Sequence, residues 1–200
     1  MTRAELKEKA KMRLKDNWGE AIIVVAILGC VSILSGIMVG IIVRNEYTGN
    51  TMTSIIGIII NSLLMLGFNS FYLKLSRGEQ VTYKELFSKT NMFSVALLSI
   101  ILMSIFVTLW SLLLVIPGII AAISYSQVPY ILLDNPNMSA MDAIKMSKNM
   151  MQGHKADYFV LMLSFIGWSI LAALTLGIGY LWLIPYTQVT MANFYDSIKI

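Results

Sequence analysis

Residues 90–133 contain no Asp, Glu, Lys or Arg, a run of 44 uncharged positions. Three further gaps of this kind, 21–43, 47–73 and 158–195, span 23, 27 and 38 residues. One membrane crossing takes about 20 predominantly apolar residues. The two shorter gaps therefore hold one span each and the two longer ones hold two, which predicts six spans. The balance of residue types agrees. The 200 residues are 57% hydrophobic and 13% charged, where an ordinary soluble domain carries about 25% charged residues. A soluble fold of this size cannot hide so much apolar surface. An ordinary soluble enzyme, a disordered tail and a secreted disulfide scaffold are excluded.

Each long gap is interrupted where a hairpin needs a turn. The first interruption is Ile116-Pro117-Gly118 and the second Leu176-Gly177-Ile178-Gly179. Proline lacks an amide donor and glycine weakens a helix, so Pro117, Gly118, Gly177 and Gly179 are the candidate turn or helix-break residues. The spans are expected near 21–43, 53–73, 92–115, 118–134, 157–175 and 180–197. Re-entrant half-helices are the alternative at either break.

Sidedness follows from the basic residues. With a cytoplasmic N-terminus, 14 of the 15 Lys and Arg residues fall inside and only Arg44 falls outside, as the positive-inside bias requires. Both termini are then cytoplasmic. The first apolar run is too long for a cleavable leader and no small-x-small site follows it. Ahead of it, Leu6, Ala10, Leu14 and Trp18 recur at every fourth residue among Lys and Arg. That pattern predicts an amphipathic helix lying on an anionic inner leaflet. Lys11, Trp18, Lys148 and Lys155 are the candidate lipid-headgroup or interface residues.

The chain also reads as three copies of one unit. Short polar-apolar segments at 4–18, 82–93 and 139–159 each precede a span. Thr82-x-x-Glu85 and Ser139-x-x-Asp142 fit helix-start capping patterns. Tyr125-Ser126-Gln127-Val128 and Tyr186-Thr187-Gln188-Val189 match at an offset of 61, which also pairs Gly118 with Gly179. Asn69-Ser70-Phe71-Tyr72 matches Ala192-Asn193-Phe194-Tyr195 more loosely, and Met65 stands where a glutamine is expected. The expected fold is all-α: a polytopic membrane bundle of six transmembrane helices. They form three pseudo-repeated hairpins, each preceded by an amphipathic interfacial helix. This is one domain over 1–200, with repeats at 1–76, 77–136 and 137–200.

The run Leu114-Val115-Ile116-Pro117-Gly118-Ile119-Ile120, with Tyr125 and Asp134-Asn135-Pro136, resembles a known family. So do Ser147, Met150-Met151-Gln152-Gly153-His154-Lys155, Leu163-Ser164-Phe165-Ile166-Gly167-Trp168, Leu174-Thr175-Leu176-Gly177-Ile178-Gly179 and Pro185-Tyr186. Together they resemble domain-of-unknown-function family 975, integral membrane proteins of low-GC Gram-positive bacteria. The resemblance covers nearly the whole chain. It implies a multi-pass protein of the bacterial cell membrane and brings no activity, substrate or catalytic residue.

Chemistry is sparse. One cysteine, Cys30, and one histidine, His154, cannot supply the roughly four ligands of a structural zinc site. No phosphate loop, dinucleotide fingerprint or metalloprotease motif is present. No cofactor, metal, nucleic acid or catalytic residue is expected, and homo-oligomerisation is left open. No ionisable residue lies inside a proposed span, which argues against a proton-driven pump. Asp134, Asp157 and Asp196 fall at inner helix ends, where capping is their expected job. Gln127 and Gln188 each lie nine residues from their turn glycine, near the bilayer midplane. Each either lines a polar path between repeats or bonds one helix to another. Tyr125 and Tyr186, two residues earlier, are ligand-facing candidates of the same kind, expected on a different helix face. Met138, Met141, Met146, Met150 and Met151 either pack or form an adaptable surface. The leading expectation is a non-enzymatic module that binds membrane lipid or a membrane protein partner. The alternative is a transporter, channel or lipid-handling protein with a polar path between repeats.

Overall fold

The computed structural model describes residues 1–42 and 46–199, and every regular element among them is helical. Val43, the end of the first expected span, and Arg44, the one basic residue assigned outside, lie outside the described residues. The elements are α1 (Arg3–Leu14), α2 (Trp18–Ile42), α3 (Glu46–Arg77), two 3-10 turns (Tyr83–Phe87 and Thr90–Met92), α4 (Phe93–Leu113) and α5 (Val115–Tyr125). Then follow α6 (Val128–Asp134), α7 (Ala140–Met150), α8 (Lys155–Leu163), α9 (Ile166–Leu174) and α10 (Tyr180–Ile198).

Among the described residues, five stretches are long and apolar enough to cross a membrane: Trp18–Met38, Gly57–Arg77, Tyr83–Leu112, Val115–Asp134 and Lys155–Leu174. The sixth expected span corresponds to α10, which is not among them. The outer surfaces of these helices are apolar. Ile33, Leu34, Ile105, Leu109, Leu112 and Leu174 are all exposed, which suits hydrocarbon and not water.

The chain reverses at both predicted breaks, but the first reversal is displaced. Leu114 alone is extended (φ −163°, ψ 148°) and joins α4 to α5. Pro117 therefore sits in the first turn of α5, where its missing N–H costs no helical bond. Gly118 is a packing glycine, because a Cβ there would strike the Ser111 side chain on the facing helix. The second turn does run through the predicted glycines. Leu176 (φ 55°) and Gly177 (φ 86°) are left-handed, and the Gly179 N–H donates to the Thr175 hydroxyl at 2.8 Å. A Cβ on Gly179 would strike Ala172. Ser111 and Gly118 stand 61 positions before Ala172 and Gly179, so the offset of the sequence match recurs in the contacts of the two turns.

The three segments ahead of the hairpins differ from one another. α1 starts with a capping box, the Thr2 hydroxyl accepting from the Glu5 N–H and Glu5 accepting from the Thr2 N–H. Those bonds hold the Glu5 carboxyl below its ordinary range. α7 starts with Ser139 as predicted, its hydroxyl accepting from the Asp142 N–H at 3.2 Å. Thr82 makes no cap bond, and the segment after it is a 3-10 turn, not an amphipathic α-helix. Glu85 is drawn away because its carboxylate accepts from the Ser70 hydroxyl at 2.7 Å and pairs with Lys74 at 3.0 Å. Gly67, Ser70 and Lys74 share one face of α3. The first admits the Leu86 backbone and the other two hold Glu85.

α1 departs furthest from expectation. Its apolar stripe is spent on protein and not on the leaflet, with Leu6, Ala10 and Leu14 fully buried. Leu6 joins Met151, Leu161, Phe165, Phe194 and Ile198, while Ala10 and Leu14 join Val24, Phe71, Tyr72 and Val189. The Asn193 amide donates to the Leu6 carbonyl at 3.3 Å, tying α1 to α10.

A Gly67→Ala substitution is expected to lower stability by about 2 kcal/mol, since the added methyl overlaps the Leu86 carbonyl and overpacking costs about 1–3 kcal/mol. Thermal unfolding in detergent measures this. An unchanged midpoint would mean that the 3-10 turn moves aside freely.

Candidate functional site

The densest polar cluster was not anticipated as such. Arg77 ends α3, Asp134 ends α6 and Asp196 lies in the last turn of α10. Arg77 Nη1 and Nη2 donate to the two oxygens of Asp134, each at 2.9 Å. The same guanidinium reaches Asp196 with Nη2 at 2.8 Å and Nε at 3.3 Å. Lys199 Nζ adds a 2.6 Å bond to Asp134, and the Tyr195 hydroxyl donates to it at 2.8 Å. The Tyr195 ring stacks on Tyr130, with centroids 5.2 Å apart. Two cations meet two carboxylates, so the cluster is neutral, and the planar fork of arginine suits bidentate pairing. Capping was the expected role for Asp134 and Asp196. A carboxylate at a helix C-terminus opposes the helix dipole, and here Arg77 supplies the compensation. Asp157 is the exception: it lies in the first turn of α8, where the dipole favours it, 4.0 Å from His154. The only sequence signal for the clasp was an unpaired arginine following a long apolar run.

The two glutamines, matched in sequence, are not matched in structure. α5 ends at Tyr125, and Gln127 precedes α6 at a break that Pro129 reinforces. Gln127 is 0% exposed. Its N–H donates to the Ser147 hydroxyl at 3.3 Å and its side-chain amide to the Ser126 hydroxyl at 2.8 Å. Ser147 in turn donates to the Ser124 carbonyl at 2.7 Å. Ser147 is therefore a buried strut between α7 and the α5–α6 junction. The Gln127 side-chain oxygen Oε1 finds no partner among the described residues. Gln188 lies inside continuous α10 and is half-buried. Tyr125 is buried together with Gln127, because the break cancels the helical rotation expected between them. Tyr125 packs on Phe106 at 6.2 Å and half-buried Tyr186 on Phe165 at 5.5 Å, centroid to centroid.

Among the described residues, two cavities bear on the candidate site. One of about 800 Å³ lies between α2 and α3, lined by Leu28, Ser32, Ser35, Ile58, Leu64 and Phe68 among others. The second, about 570 Å³, lies between α1, α9 and α10. Lys7, Lys11 and Trp18 face it from one side, and Trp168, Trp182 and Tyr186 from the other. Gln127 and Gln188 line neither. Lys11 and Trp18 are thus brought together, whereas Lys148 is exposed on α7 and Lys155 begins α8, away from this cavity. Met151 is fully buried and Met138, Met146 and Met150 pack against the core, so that methionine face is mostly packing. Among the described residues, no three of His, Cys, Asp and Glu lie close enough to hold a metal ion.

These features define an all-helical bundle with membrane-length apolar helices, three of whose helix ends are pinned by one arginine. The model of the family described as "Protein of unknown function (DUF975)" matches residues 1–117 and 112–200, and the chain belongs to that family. Neither a curated protein nor a solved structure matches it.

Arg77→Met is expected to cost about 2 kcal/mol. Removing one partner of a buried pair costs about 3–5 kcal/mol, discounted because this guanidinium is 30% exposed. Adding Asp134→Asn to Arg77→Met should cost less than the sum of the two single changes, as coupled partners do. Additive losses in chemical unfolding would mean that the clasp contributes nothing as a unit.

Proposed function

We propose that this protein is a non-enzymatic module of the bacterial plasma membrane, which acts by binding lipid or a membrane protein partner. The observation that carries the reading is the burial of Gln127. The amide best placed to line a path is bonded to Ser126, with its backbone N–H held by Ser147, within a packed core, and both cavities lie elsewhere. The transport alternative draws on the 800 Å³ cavity, whose walls include Ser32, Ser35 and Asn69. Native mass spectrometry of gently extracted protein separates the two. A stoichiometric bound lipid or protein supports the module, and facilitated flux of a defined solute in proteoliposomes overturns it.

The same proposal includes six spans in three same-sense hairpins, with both termini inside. Its support is the 61-residue offset shared by the turn contacts and the basic residues outside the spans. In a Cys30→Ser background, Leu176→Cys is expected to react with a membrane-impermeant thiol reagent from outside intact cells, since Leu176 is 95% exposed at its turn. Labelling only in inverted vesicles would reverse the topology.

Gln127→Leu combined with Gln188→Leu is expected to leave a folded protein with its unfolding free energy within about 1 kcal/mol of the parent. The Gln127 side chain gives up one bond, to Ser126, together with a buried oxygen that has no partner among the described residues, so loss and gain offset. Retained folding with loss of a measured solute flux would favour the transport reading instead.

A further inference from the structure

The cavity between α1, α9 and α10 has a charged end and an apolar trough. Lys7 and Lys11, one turn apart on α1, both face it. Neither is in an ion pair among the described residues. Lys7 Nζ reaches only the Ser164 carbonyl, at 3.4 Å, and the face of Phe165, 4.3 Å from its centroid. Lys11 Nζ lies 5.9 Å from the Tyr186 centroid. Partial burial lowers the pKa of the Lys7 ammonium, and the neighbouring charges of Arg3 and Lys11 lower it further. Two like charges gathered without a carboxylate call for an anion. Away from them the walls are Leu171, Ala172, Gly179 and Leu183, with Trp168 59% and Trp182 49% exposed. Indole rings of this kind favour the boundary between headgroups and acyl chains. Three of the chain's four tryptophans, Trp18, Trp168 and Trp182, line this one cavity.

We propose that this cavity holds one anionic phospholipid of the inner leaflet. Its phosphate lies between Lys7 and Lys11, and an acyl chain runs along the trough between Trp168 and Trp182. The inference rests on the membrane-module reading with a cytoplasmic N-terminus, and it names the lipid class and the site. A free anion would leave the trough empty, and a zwitterionic lipid would bring a third cation beside the two lysines. Each lysine near an anionic headgroup contributes enough that losing both weakens binding about tenfold or more.

The test uses the full chain in nanodiscs of equal phosphatidylglycerol and phosphatidylcholine, with the retained lipid read by native mass spectrometry. The expected result is one retained phosphatidylglycerol, favoured over phosphatidylcholine. Lys7→Gln with Lys11→Gln should cut that retention about tenfold while helicity and melting midpoint stay unchanged, since glutamine is a good helix former. Lys148→Gln with Lys155→Gln, the same charge change outside the cavity, should leave retention unaltered. Trp168→Ala, which removes trough and no charge, should also weaken retention. Equal retention of the two lipids, equal loss in both lysine pairs, or saturation of the site by inorganic phosphate alone would overturn the proposal. So would a co-purified protein that only the Lys7 and Lys11 changes release. A chain that integrates and labels at Leu176→Cys from outside but shows no lipid preference fails this inference alone. A chain that never enters the membrane fails the module reading.

Discussion

Arg77 lies at the end of the longest helix and is followed by a left-handed glycine, so its position is set by α3 and its direction by the turn at Gly78. From there it fixes the ends of two other helices. α6 and α10 both finish in carboxylates that their own dipoles disfavour, and the guanidinium makes those two endings compatible. An aromatic layer joins the same arrangement. Tyr195 stacks on Tyr130 while its hydroxyl shares Asp134 with Arg77. The buried core around Leu66, Leu73, Ile131 and Leu132 closes directly over this cluster.

The rest of the molecule is organised outward from that end. Toward the clasp, α1, the 3-10 turn at 83–87 and α7 wrap the helices, and Leu14, Leu86 and Ser147 are fully buried there. Farther out, α2, α4, α5 and α9 expose apolar residues. Two solvents explain the difference. Polar backbone ends must find protein partners or water, so the ends of helices are knitted together. Helix middles surrounded by hydrocarbon already have their backbone bonds satisfied and need only close approach, which Gly118 and Gly179 provide.

What the sequence disclosed followed this division. Long uncharged runs revealed the apolar helices, and the glycine-rich 175–179 turn was legible because left-handed backbone selects its residues. Ser139 was legible as a cap for the same local reason. Leu114 was not, because nothing about a leucine marks a single extended residue, and Pro117 nearby gave a stronger and misplaced signal. The stripe of Leu6, Ala10 and Leu14 was found as a stripe, but a lipid surface and a helical cleft select the same spacing. The burial of that stripe among residues distant in the chain, and the contact of Asn193 with Leu6, distinguish them. The clasp was hidden for a related reason. Arg77, Asp134 and Asp196 are far apart in the chain and each has an ordinary local explanation. The cavity site was half visible: Lys11 and Trp18 were chosen from the N-terminal stripe, while Lys7, Trp168 and Trp182 needed the fold to bring them together.

The docking of α1 against α10 sets an order of events during synthesis. α1 buries its apolar face on α10, and the Leu6–Asn193 bond spans 187 positions. α1 is synthesised before α10, so the stripe of Leu6, Ala10 and Leu14 lacks that cover until α10 has been made. A truncation that removes α10 would leave the stripe without the partner that closes over it.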